Sequence, residues 1–200
     1  MRKWFIKIIA LALPLTFAVS SQADAAALYD GNAFYKSQGF SSSRVASMPW
    51  WEDSSVTTYG YAGILSTARN SWDAAPSANI GYNKTSSESS AYLRFYVIDD
   101  PYAGYDGRFK PFDSNGNAFS DSDADNPNKS FYKSNLILND YNLRTYYESR
   151  AQRVDIAVHE LGHSFNLKHQ DNDVQSIMNS RTPGREAPYP LDYRNVGWKY

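Results

Sequence analysis

Apolar residues recur at helical spacing in two stretches of this chain and alternate with polar ones in several others. Ile64, Leu65, Ala68 and Trp72 share one helical face. The spacing predicts an amphipathic helix over 62–74, with Pro76 just past its end. Val154, Ala157, Val158 and Leu161 repeat the pattern and predict a second long helix over 150–165. Between them, 91–98 alternates Leu93, Phe95 and Val97 against Tyr92, Arg94 and Tyr96, the signature of a strand with one face in a core. Leu136-Ile137-Leu138 predicts another buried strand, closed by Asn139-Asp140. Val56-Thr57-Thr58-Tyr59 is β-branched and aromatic and predicts a short first strand. Residues 100–130 read as a long Gly-, Asp-, Asn- and Ser-rich loop region with a short strand at 108–112. Residues 28–49 show only weak periodicity and read as an irregular segment or a short pro-piece. The order is strand, helix, several strands, helix and an irregular tail, which is an α+β chain.

The first 25 residues change the picture of where the chain acts. Arg2, Lys3 and Lys7 precede an apolar run from Ile8 to Val19, and Ala23-Asp24-Ala25 offers small residues for cleavage. That pattern is expected of a secretory signal peptide, and twelve apolar residues are too short to span a bilayer comfortably. Three divisions follow: a signal peptide at 1–25, an N-terminal segment or pro-piece at 26–49, and a main domain at 50–200. Beyond residue 25 the balance is 17 basic against 20 acidic residues, a net −3. That charge gives no electrostatic reason to bind nucleic acid. The chain has no cysteine, so stability in an oxidising compartment rests on the core and on any bound ions.

All three histidines of the chain fall within His159-Glu160-Leu161-Gly162-His163-Ser164-Phe165-Asn166-Leu167-Lys168-His169. On a helix, His159 and His163 lie about 40° apart on one face, one turn from each other. Both imidazoles can therefore reach one metal ion, and Glu160 can stand beside it without binding it. A straight helix would carry His169 roughly 9 Å further along and about 120° off that face. The helix must therefore stop. Asn166 is the expected stop, because Asn tolerates a left-handed backbone better than any residue but Gly. Three neutral imidazoles leave a fourth zinc position open, the layout of a catalytic site.

The motif resembles that of the metzincin zinc peptidases, nearest the matrixins and their small bacterial secreted relatives. Ser176-Ile177-Met178, nine residues after His169, resembles the family's Met-turn. Trp51 with 56–59, Trp72, the segment 136–140, and Asp192, Tyr193 and Val196 resemble further family landmarks. The likeness covers about residues 50–200. It implies a metzincin-like zincin fold: a twisted mixed β-sheet, two long helices and an irregular C-terminal subdomain after the Met-turn. It also implies one catalytic Zn2+ on His159, His163 and His169, Glu160 as general base, and Met178 packed beneath the imidazoles. The implied function is a secreted, monomeric zinc endopeptidase acting on a protein or peptide substrate, without stable membrane insertion once the leader is removed. The chain departs from the family at Asn166, where Gly is usual. It has Asn179-Ser180 where Tyr-Pro is frequent, and it lacks the His for a second zinc and the Cys for pro-domain latency.

Weaker signals accompany the motif. Asp113, Asn115 and Asn117, and then Asp121, Asp123 and Asp125, alternate like calcium-loop ligands, so Ca2+ is a second candidate ion. The second set lacks the Gly and closing Glu of an EF-hand, and a polar turn-rich loop is the competing reading. Tyr189 or Tyr193 is a further candidate for oxyanion stabilisation. The alternatives to a general endopeptidase are a secreted zinc-containing binding or surface-interaction protein of the same fold, and a narrow-specificity exopeptidase.

Overall fold

The structure is a computed structural model that describes residues 33–170, 174–180 and 183–200. The expected signal peptide at 1–25 lies outside the described residues. A five-stranded mixed sheet in the order β2-β1-β3-β5-β4 organises the chain. Its strands are β1 (Met48–Glu52), β2 (Tyr82–Lys84), β3 (Leu93–Ile98), β4 (Gly107–Phe112) and β5 (Lys133–Asn139). β1 pairs in parallel with β2 and β3, and β3 pairs in parallel with β5. β4 runs antiparallel to β5 and forms one edge of the sheet.

The helices are α1 (Ser42–Val45), α2 (Ser54–Thr58), α3 (Ala62–Asp73), α4 (Asp121–Ala124), α5 (Asp140–Tyr146), α6 (Arg150–Ser164) and α7 (Pro190–Lys199). The alternation along β3 buries Leu93, Phe95 and Val97, and β5 buries Leu136 and Leu138 beside them. The long helices α3 and α6 pack on each other. Fully buried Trp72 joins them by donating its indole N–H to the Val158 carbonyl at 2.9 Å. Ser149 caps α6 through a reciprocal capping box with Gln152, which satisfies two donors at the helix start. Among the described residues no helix is long and apolar enough to cross a membrane.

Several local expectations change. Residues 56–59 are not a strand. Asp53 accepts the Ser55 N–H at 2.9 Å and caps helix α2, which buries Val56 alone. A good N-cap outweighs β-propensity over so short a run. The first strand lies just before it, where Trp50 stacks edge-on against Phe95 at 5.9 Å. The tail expected to be irregular contains the ten-residue α7. The 100–130 region holds both β4 and the single turn α4.

The boundary drawn at residue 50 falls inside β1. Ala33, Phe34, Phe40, Val45 and Met48 are buried in the common core. Losing them exposes several side chains at about 1.5–3 kcal/mol for each large one, an amount comparable to a domain's whole stability. A chain beginning at residue 50 is expected to be unfolded, read as loss of dispersed amide signals in a proton NMR spectrum. A chain beginning at residue 30 should keep them.

Candidate metal centre

The C-terminal half of α6 presents His159 and His163 on one face. Each ring is oriented by a backbone carbonyl. His159 Nδ1 lies 2.8 Å from the Ile177 oxygen, and His163 Nδ1 lies 2.8 Å from the Leu167 oxygen. A carbonyl only accepts, so both Nδ1 atoms carry the proton and both Nε2 atoms present lone pairs. His169 brings its Nε2 to 3.1 Å from that of His159. The three rings offer ligand atoms within 4.8 Å of one another. Facing lone pairs at such distances repel unless a cation lies among them. Three imidazole nitrogens, two of them on rings held by backbone carbonyls, are a donor set that suits zinc.

The turn that returns His169 to this face depends on Asn166. Its φ is 65°, and it is the one non-glycine among the described residues in the left-handed region. Its side chain is fully engaged. Nδ2 donates to the carbonyls of Tyr35 and Ser37 at 3.0 and 2.7 Å, and Oδ1 accepts from Ser37 Oγ at 3.0 Å. These bonds explain why Asn stands where Gly would serve the backbone alone. Phe34 also bridges Leu167, and Lys168 N–H donates to Ala33 O. The N-terminal segment is thus stitched along the turn that carries His169.

Met178 is fully buried. Its sulfur sits so close to Gly162 that a Cβ there would come within 2.3 Å of it. Asp192 anchors this turn from α7. Its carboxylate accepts from Ser176 Oγ at 2.5 Å and from the N–H groups of Ile177 and Tyr189 at 2.8 Å each. The turn in turn supplies the carbonyl that orients His159.

Glu160 lies against the edge strand. Burial dominates and, with help from Asp106 and against the nearby Phe109 amide and Arg108, pushes its carboxyl up to about 8. A divalent cation on the three rings would act against that shift. Gly107 makes room for it, since a Cβ there would lie 2.6 Å from Glu160 Cγ. Burial also lowers His159 to about 4 and depresses His163 and His169. The rings are therefore neutral, as metal ligands must be.

Two hollows flank Glu160. One, of about 450 Å³, is lined by residues including Tyr35, Phe109, Phe119, Phe131 and His163. The other, of about 150 Å³, is lined by residues including Tyr147, His159, Asn179 and Ser180. Glu160, Gly107 and His169 border both, so the hollows form one cleft along β4.

The other candidates fall elsewhere. Asp121, Asp123 and Asp125 are not gathered as metal ligands; among the described residues only the three histidines form such a group. Asp123 caps α4 and pairs with Lys129 at 3.3 Å, while Asp121 and Asp125 line the larger hollow. Asp113 binds the amides of Asn115 and Asn117 in its own turn. Tyr193 donates to Ser71 O at 2.7 Å, and Tyr189 lies under the Arg185 guanidinium at 4.0 Å, so neither lines the cleft. The sequence reading missed Tyr35, Ser37 and Gly107. They belong to segments without periodicity, and nothing in their local pattern places them at the site.

An α+β chain with a three-histidine cluster, able to hold a metal ion, beside an edge strand is the class that fold and site define. No protein-family profile matches the chain, and no curated protein matches it. It is similar in fold to a chain of a solved structure titled "GM1 bound form of the ECX AB5 holotoxin". The two share 13% identity and a TM-score of 0.50 over 84% of this chain and 86% of that one. These findings correct the family expectation. The metzincin, matrixin-like assignment rested on an eleven-residue motif and scattered landmarks, whereas the likeness that spans most of the chain leads to a toxin assembly. The general secreted zinc endopeptidase inferred from that assignment is withdrawn with it. At this identity the likeness is one of fold.

Two outcomes are expected. Asn166→Gly keeps the turn but loses three hydrogen bonds, costing about 1–3 kcal/mol in urea unfolding. Asn166→Ala should cost about 1 kcal/mol more, because alanine is strained at positive φ. Asp155, which accepts the N–H groups of Gly184 and Arg185 at 3.0 and 2.7 Å, is pushed up to about 6 by burial. The folded state therefore holds a proton that the unfolded state releases near pH 4. This contribution is present below pH 4 and lost as pH rises to 6. The urea midpoint of wild type should fall across that window more steeply than that of Asp155→Asn.

Proposed function

We propose that this chain is an exported zinc-holding protein, toxin-like in fold, that binds an extended ligand in its cleft. On this reading its metal centre hydrolyses a bond in a narrow range of such ligands and does not degrade proteins generally. The observation that carries the metal is the convergence of three imidazole lone pairs, two of them fixed by backbone carbonyls. The fold likeness to a holotoxin chain supports the binding role.

His159, His163 and His169 would hold the ion. When bound there, zinc polarises water and the group under attack and steadies developing negative charge. Glu160 stands at the junction of both hollows, placed to accept a proton from an attacking water and return it to a leaving group. The closeness of Gly107 confines its side chain. The outer side of β4 is covered at Pro111 and Phe112 by residues 118–119, which leaves its stretch at residues 107–109 for a short run of backbone pairing with an extended ligand. The 450 Å³ hollow is of a size that seats one side chain or small group.

Retention of Glu160 favours hydrolytic competence over a metal-only scaffold. The test measures zinc content and cleavage of a peptide library and of unfolded casein by wild type and Glu160→Gln. Wild type is expected to bind one zinc, to cut few library members and to leave casein largely intact. Glu160→Gln should keep the zinc and lose cleavage by at least about 100-fold. Equal cleavage by both proteins would remove Glu160 from the chemistry. A wild type that holds no zinc would end the proposal.

A further inference from the structure

The larger hollow has chemistry that the metal centre does not require. Phe109, Phe119 and Phe131 line it, with the Phe109 and Phe119 rings 5.6 and 5.2 Å from that of Phe131. Aromatic walls of this kind accept the aliphatic stem of a side chain. The remaining wall is the turn of α4, which contributes Asp121 and Asp125.

Those two carboxylates are left over by the fold. Asp123 between them is consumed by the capping box with Ser120 and by Lys129. Neither Asp121 nor Asp125 has a side-chain hydrogen bond or ion pair among the described residues. Two cations border the same hollow but face elsewhere. The Arg108 guanidinium lies 5.6 Å over the Tyr105 ring, and Lys110 Nζ lies 5.7 Å from the Phe112 ring. Both alternate with Phe109 along β4, so their side chains leave the opposite face of the strand. The hollow thus joins His163 and His169, through an apolar passage, to two carboxylates that have no side-chain partner among the described residues.

A long side chain with an apolar stem and a cationic end matches this order of surfaces, since such side chains lay their stems on apolar walls and keep the charge in a wet, anionic setting. We propose that this hollow is the side-chain pocket of the cleft and selects lysine or arginine on the ligand residue bound next to the metal centre. The inference rests on the zinc-cleft reading above and adds to it the class of ligand.

The test uses the zinc-loaded full chain and calorimetric titration with hydroxamates, which chelate the metal. Acetohydroxamate, with no side chain, reports the metal centre alone. Peptide hydroxamates carrying lysine, arginine, norleucine or glutamate at the adjacent residue report the pocket. Lysine and arginine are expected to bind about five- to tenfold more tightly than norleucine, the size of two partly exposed ion pairs. Glutamate should bind more weakly than norleucine. The basic advantage should shrink at about 0.5 M salt. Asp121→Asn combined with Asp125→Asn should erase it while leaving acetohydroxamate and norleucine unchanged. Norleucine binding as tightly as lysine to wild type overturns the pocket and leaves the metal centre standing. Failure of acetohydroxamate to bind overturns the metal centre and the pocket's role with it.

Discussion

Two backbone carbonyls hold this molecule's chemistry in place. The oxygens of Ile177 and Leu167 fix the tautomers of His159 and His163 and turn both Nε2 atoms inward. Neither carbonyl belongs to the helix that carries the rings. The Ile177 oxygen is set by the turn that Asp192 grips from α7. The Leu167 oxygen is set by the left-handed step at Asn166, which the N-terminal segment grips through Ser37 and Tyr35. A donor set that looks like an eleven-residue affair is therefore held from both ends of the chain. That arrangement gives the outer-shell control that metal sites depend on.

The sheet contributes the other half of the site. β4 is antiparallel and at the edge, and the Phe119 N–H covers its outer side at the Pro111 carbonyl, so its open stretch lies at residues 107–109 beside α6. Gly107 lets that strand approach Glu160 closely. The same strand brings Phe109 to the larger hollow, with Arg108 and Lys110 also at its border. One strand thereby borders Glu160, the cleft and the larger hollow.

What was legible beforehand follows the range of the forces involved. Helices α3 and α6 and strand β3 were plain, since their periodicity is a local record of one buried face. The His159, Glu160, His163 and His169 constellation was plain because helix geometry ties its spacing to a shared face. The need for a left-handed step was argued from Asn166 alone. Its three side-chain bonds reach back about 130 positions and leave no local trace. The strand reading at 56–59 failed because a single cap at Asp53 outweighed weak propensity. Family membership could not be read safely from the motif. Metal-ligand spacing is set by helix geometry, and geometry does not carry ancestry.

The long span of the Ser37–Asn166 contact has a bearing on biosynthesis. A ribosome releases residues 33–38 well before the histidines, and α7 with Asp192 comes last. Until α7 is free, Asp192 cannot grip the turn that carries the Ile177 carbonyl, and the His159 ring is less firmly set. A nascent or truncated chain is thus a poor trap for metal, however complete its HExxH sequence. Assembly of the three-histidine cluster therefore waits for α7, so the order of synthesis delays its closing until residues 190–199 have emerged.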